Sequence, residues 1–171
     1  MKCFALFACF LISSLLLTGC AGYKLGPTNG EAAGAKSIQI KPFANKTLEP
    51  HLNDYLMGSL LKNLMQDGTY RLNTQDEGEL ILSGVITGYT RSELSFQPTD
   101  VLTALDYQIV MTVQLTLTER SSGKVLLSKS VRGSTALRAG TDLTSAERQA
   151  MPQLTDNLAR HATALLVDGT W

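Results

Sequence analysis

Cysteine, histidine and net charge are all scarce in this chain, and each scarcity closes off a class of function. Among 171 residues there are three cysteines and two histidines, and 15 basic residues balance 15 acidic ones. Cys3 and Cys9 fall in an apolar N-terminal run, so a chain that begins at Cys20 has no pair of thiols for a disulfide. The fold must then rest on its core alone, even in an oxidising compartment. His51 and His161 lie far apart, neither with a second metal-type ligand at short spacing, so no metal site and no cofactor is expected. The charge balance lacks the basic footprint of a nucleic-acid-binding domain. No nucleophile-elbow glycines surround any serine. Gly133-Ser134 and the lone Gly140 are too sparse for a phosphate-cradling loop, and the acidic turn of Asp76, Glu77 and Glu79 reads as solvated. With no catalytic constellation, the chain is not expected to be an enzyme. Residues 4–17 are apolar apart from Ser13 and Ser14, but they fall short of the about 20 that a membrane-crossing helix needs.

What that run does resemble is a secretory signal: a positive start at Lys2, an apolar core, then Leu17-Thr18-Gly19-Cys20. Small residues followed by cysteine make this a lipobox pattern. Residues 1–19 are therefore expected to be a lipoprotein signal peptide, with Cys20 the lipidated first residue of the mature protein. Acyl chains such as palmitate on Cys20 would anchor the domain firmly, since each buried methylene adds about 0.8 kcal/mol. Residues 20–36 carry four glycines and Pro27 with few large apolar groups, as a flexible tether does. Residues 37–171 are expected to form a single domain.

Within that domain the spacing predicts a strand over residues 37–43, with Ile38 and Ile40 facing the core and Gln39 and Lys41 facing away. A helix follows from Pro50, with Leu52, Leu56, Leu60 and Leu64 as its stripe, widened by Leu61 and Met65, and Gly68 as its stop. Residues 70–72 and 80–89 read as strands, and Gly84 and Gly88 mark a bulge, a bend or a close approach of another backbone. Residues 91–105, with Pro98 inside, read as a long loop carrying Leu94, Phe96, Val101 and Leu102. Such a loop either folds back on the core or meets a partner. Residues 107–119 alternate most clearly: Tyr107, Ile109, Met111, Val113, Leu115 and Leu117 share one face. Gln108, Thr112, Gln114, Thr116 and Thr118 share the other, where Val110 is the apolar exception. Ser121-Ser122-Gly123-Lys124 predicts a hairpin turn into a return strand over 125–135. Thr144 and Glu147 have capping-box spacing at the start of a last helix, which runs to about Val167 on Leu154, Leu158, Ala162 and Leu165. Pro152 should kink or restart it.

Lys124, Lys129 and Arg132, with Arg120 before the turn, set positive charge along one hairpin. Such charges either solvate an edge strand against edge-to-edge association or offer donors to phosphate groups. Alternation places Lys129 and Arg132 on opposite faces.

Several stretches together resemble one family. Cys20-Ala21-Gly22-Tyr23 with Leu25, Ile38-Gln39-Ile40-Lys41-Pro42-Phe43-Ala44-Asn45-Lys46-Thr47, and Leu80-Ile81-Leu82-Ser83-Gly84-Val85-Ile86 with Tyr89 are similar to the LPS-assembly lipoproteins of the LptE (RlpB) family. So are the strand from Tyr107, Gly123-Lys124-Val125-Leu126, Ala146-Glu147-Arg148 and the terminal Trp171. The resemblance implies an α+β fold, two helices packed on a mostly antiparallel sheet of about four strands. It implies residence at the cell outer membrane through the lipid anchor, which Ala21 after the cysteine also favours. It further implies a role without catalysis, as plug and assembly partner of an LptD-like β-barrel that delivers lipopolysaccharide (LPS), with LPS itself as a ligand. Lys124, Lys129 and Arg132 are the candidate LPS contacts. The alternative reading is a lipoprotein activator of peptidoglycan synthases, or another non-catalytic periplasmic binding module.

Overall fold

Three long strands set the frame. The computed structural model describes residues 33–75, 77–139 and 142–169, and within them one mixed sheet forms. In chain order the elements are β1 (Lys36–Ile40), β2 (Ala44–Asn45), α1 (Leu52–Asp67), β3 (Tyr70–Leu72), β4 (Leu80–Gln97), β5 (Asp100–Glu119), β6 (Val125–Arg138) and α2 (Leu143–Asp168). Across the sheet the order is β3-β1-β4-β5-β6, and β2 pairs with β4 beyond the end of β1. The short strands pair in parallel; β4, β5 and β6 form an antiparallel meander. Two helices on a sheet is the expected class, but the sheet has six strands instead of about four. Part of the excess comes from Pro42, whose missing N–H interrupts the first strand, which resumes as β2.

The largest departure lies in residues 91–105. They are not a loop: β4 runs on to Gln97, turns at Pro98-Thr99, and returns as β5 from Asp100. The two strands form a long hairpin arm, with β6 pairing only as far as Asp106 on β5. Gly88 follows a bulge at Thr87, whereas Gly84 meets the other expectation for a strand glycine. A Cβ there would lie 2.7 Å from the Phe43 ring, so the glycine admits a close neighbour.

One face of the sheet carries both helices. Ile109, Met111, Val113, Leu115 and Leu117 are buried beneath them, together with Leu52, Leu56, Leu60 and Leu64 of α1. Leu61 is half-buried, and Met65 stands in solvent instead of widening the stripe. On α2 the buried stripe is Leu154, Leu158, Ala162 and Leu166, one step from the expected Leu165. The helices lie side by side, tied by the Ser59 and Thr155 hydroxyls at 2.8 Å and by Asn63 donating to Asp156 at 3.1 Å. Below them the Tyr70 hydroxyl donates to the Leu166 carbonyl at 2.7 Å. Gly133 lets α2 sit on β6, since a Cβ there would lie 2.5 Å from the Leu158 Cβ and 2.8 Å from its nitrogen.

The helix starts also differ in detail. His51, in the left-handed region at φ 62, precedes α1, so Pro50 lies outside the helix. Asp142, not Thr144, caps α2: its carboxylate accepts from the Thr144 N–H at 3.0 Å and from the Ser145 hydroxyl. Pro152 neither ends nor restarts α2. It and Arg148, whose carbonyl loses its bond, are both exposed, so water can take the place of the missing donor.

Candidate functional site

Among the described residues the opposite face of the sheet has no helix on it, and its side chains come in rows across three strands. Ser83, Thr116 and Ser128 form one row; Val85, Gln114 and Ser130 the next; then Gly88, Thr112 and Arg132; then Thr90, Val110 and Ser134. Most of these carry hydroxyl or amide groups, and in these four rows Arg132 is the only charge. Gln114 Nε2 donates to the Ser128 hydroxyl at 3.1 Å. Thr87 and Ser83 bond back to carbonyls of β5, at 3.3 and 3.4 Å. This is a surface that can exchange hydrogen bonds with water, sugar hydroxyls or another polar wall without removing a formal charge from solvent.

Beyond the last row, Asp106 sits opposite Arg138 at the root of the arm. Arg138 donates to it at 2.9 Å and the Ser95 hydroxyl at 2.5 Å, which together hold its carboxyl below the usual range. A groove of about 550 Å³ opens between β4 and the β2–α1 turn, lined by Lys46, Leu48, Glu49, Tyr89, Arg91 and Glu147 among others. Arg91 pairs with Glu147 and stands 6.0 Å from the Tyr107 ring centroid. The Tyr89 hydroxyl is buried there with no partner among the described residues. Burial first, then the Glu147 and Glu49 charges, push its pKa far up, with Arg91 opposing, so the phenol stays neutral.

The candidate cations do not converge. Arg132 lies in the middle of the uncovered face. Lys129 is three residues back on the helix-bearing face, opposite Leu115, yet exposed. Lys124 follows the turn before β6 and holds the hairpin through its carbonyl, which accepts from Glu119 N–H at 2.9 Å. None of the three side chains has a hydrogen-bond or ion-pair partner among the described residues, so all three are free for an external anion. Arg120 is engaged differently: it donates to the Gly78 carbonyl at 2.6 Å and to Gln39, and so buries Gln39, which alternation had turned outward. Cys20 lies outside the described residues. Among the described residues no group of three or more His, Cys, Asp or Glu could hold a metal, and no helix is long and apolar enough to cross a membrane.

Residues 91–97 and the groove escaped the sequence reading. The signal that could have found the arm is the alternation of Leu94 and Phe96 with Ser95 and Gln97.

Residues 35–164 match the family described as "LptE: Lipopolysaccharide-assembly". No curated protein matches the chain. Among solved structures, a Xanthomonas campestris protein is 10% identical at TM-score 0.60, covering 85% of this chain and 91% of that one. A hypothetical protein of Chlamydia trachomatis is 11% identical at TM-score 0.55, covering 77% and 96%. A minor lipoprotein of Acinetobacter baumannii is 14% identical at TM-score 0.52, covering 78% and 93%. At such identities these likenesses establish the fold alone.

Proposed function

Because the chain belongs to the LptE lipopolysaccharide-assembly family, we propose that it is an outer-membrane lipoprotein, anchored through Cys20, that assists LPS assembly as the plug of a β-barrel translocator. The observation that carries this reading, beyond family membership, is the uncovered, almost uncharged sheet face. A plug inside a water-filled barrel needs a wall that exchanges hydrogen bonds with a polar lumen and shifts its neighbours without stranding a charge. The apolar face has already been spent on two helices, which leaves the other face for a partner.

Arg132 on that face, with Lys129 and Lys124 along the same hairpin, supplies the donors for the anionic groups of LPS. As cations without protein partners they are ready to form charge-assisted hydrogen bonds to phosphate. The role is binding and guidance, with no bond made or broken by the chain. The proposed domain layout has residues 1–19 as a removed signal peptide, 20–36 as a tether and 37–171 as the working domain.

Affinity purification of the tagged full-length chain from its own membranes tests the partnership. A β-barrel should copurify in stoichiometric amount. Recovery of a peptidoglycan synthase in its place would overturn the reading. Direct LPS binding by the purified chain, repeated with Lys129→Ala and Arg132→Ala, tests the contacts. Unchanged binding in both variants would remove those side chains from the site.

A further inference from the structure

The meander is three strands wide up to one rung and two strands wide beyond it. On that rung Asp106 of β5 faces Ser95 on β4 and Arg138 on β6, and no rung after it includes β6. Below the rung the sheet is braced from α2. His161 Nδ1 donates to the Arg132 carbonyl at 2.9 Å, the Ser134 N–H donates to Asn157 Oδ1 at 3.0 Å, and Arg91 pairs with Glu147. Above it, residues 94–105 continue as a hairpin of β4 and β5 alone. No side chain whose burial is described in that stretch is buried.

The register breaks on both sides of the Asp106 rung. From Glu93 opposite Tyr107 to Ser95 opposite Asp106, β4 advances two residues and β5 one, so Leu94 is extra. From there to Phe96 opposite Ala104, β5 advances two and β4 one, so Leu105 is extra. A bulge bends its strand and disrupts the ladder, and one on each strand leaves the direction of the arm weakly fixed by main-chain bonds. One such bond crosses to β6, from the Ala139 N–H to the Leu105 carbonyl at 3.0 Å. Side chains add the rest. Asp106 accepts from the Ser95 hydroxyl at 2.5 Å through one oxygen and from Arg138 Nε at 2.9 Å through the other, so one carboxylate joins all three strands. The far end of the arm is closed on itself: Asp100 accepts from the Leu102 N–H at 3.0 Å and from the Thr103 hydroxyl at 2.5 Å.

We propose that residues 94–105 form a lever and that Asp106 is its pin. With Ser95, Asp106 and Arg138 joined, the arm points in one direction. With the carboxylate released, the arm swings about the two bulges as a unit, because its tip is closed on itself. It carries the exposed Leu94, Phe96 and Leu102 with it. The side chains of the Arg138–Asp106 pair are 69% and 28% exposed, and an exposed ion pair adds little to global stability. A two-stranded hairpin likewise has little stability of its own. The pin therefore acts on the direction of the arm and not on the core beneath it, which makes Ser95, Asp106 and Arg138 positioning residues. Arg91 and Glu147 are not part of the pin, since they brace the three-stranded base on the helix-bearing face. The inference does not depend on the LPS reading.

The test measures the distance from the arm to α2 in the purified full-length chain in detergent. Spin labels are carried on non-canonical residues at Thr99 and Gln153, both exposed, and read by dipolar spectroscopy. In the parent chain one distance should dominate. Asp106→Ala and Arg138→Ala should each raise the displaced population about fivefold. Exchanging the pair, Asp106→Arg with Arg138→Asp, should return the distribution to that of the parent. Amide exchange over residues 109–117 should stay within about twofold in all four chains. A parent chain with no dominant distance, single variants that keep the parent distribution, or an exchanged pair that stays displaced would each overturn the inference. Exchange over 109–117 that quickens as much as the displaced population grows would overturn it too, because Asp106 would then hold the core and not the arm.

Discussion

Leu115 and Thr116 are neighbours in β5, yet they belong to two faces with different duties. Leu115 is fully buried under the helices; Thr116 sits in a row of hydroxyls between Ser83 and Ser128. The face with Leu115 repeats apolar side chains and bears both helices. The face with Thr116 repeats hydrogen-bonding side chains and bears no helix among the described residues. The contrast teaches where each kind of constraint lies: packing fixes one face, while the other is free of packing and open to contacts outside the chain.

The largest test of the contrast is the adjacent pair itself. Leu115→Ala should cost about 2–5 kcal/mol in urea unfolding, because it leaves a cavity beneath a helix. Thr116→Ala should stay within about 0.5 kcal/mol. Equal costs would erase the distinction between the faces. Next comes Gly133→Ala against Ser134→Ala. The first drives a methyl into the Leu158 backbone of α2 and should cost about 1–3 kcal/mol. The second leaves the Ser134 N–H on Asn157 and should be nearly silent.

Acid should weaken the fold from outside the core. Asp106 is held low first by its bond from Arg138 and then by Ser95, Asp142 by Ser145, and Asp156 by Asn63 and then by Arg160 and Lys62. Depressed carboxyls contribute their full stability above the unfolded value near 4 and lose it as pH falls through the lower folded value. Melting temperature should therefore change little from pH 8 to 5 and drop below about pH 4. The smallest effect is expected at Tyr89→Phe. Its hydroxyl is buried without a partner, so removal should be neutral or slightly stabilising, read by thermal unfolding.

Much of this contrast is legible in residues 107–118, where an apolar residue at each odd position and a polar one at most even positions leave one assignment of faces. The arm was legible only in the short alternation of Leu94 and Phe96 with Ser95 and Gln97. Register shifts around Ser95 and Phe96 break the two-residue period, and no core lies beneath the tip to demand apolar residues on one side. Gln39 looked solvent-facing until Arg120, far along the chain, reached across it. The groove was hidden for the same reason, since Arg91 and Glu147 meet only after folding. Nothing local to either residue signals the other. The lipidation proposed for Cys20 is signalled in the sequence by the Leu17-Thr18-Gly19-Cys20 motif and would supply the anchor.

The central claim is that the uncovered face is the working surface for LPS assembly. It is tested most directly by complementing a depletion strain with Thr112→Glu/Thr116→Glu and measuring LPS at the cell surface. Both positions are on the face without helices, so the variant should fold and accumulate like the parent chain. The account predicts that surface LPS then falls toward the depleted level while peptidoglycan synthesis stays normal. Full restoration of surface LPS by a chain with two carboxylates on that face would contradict it.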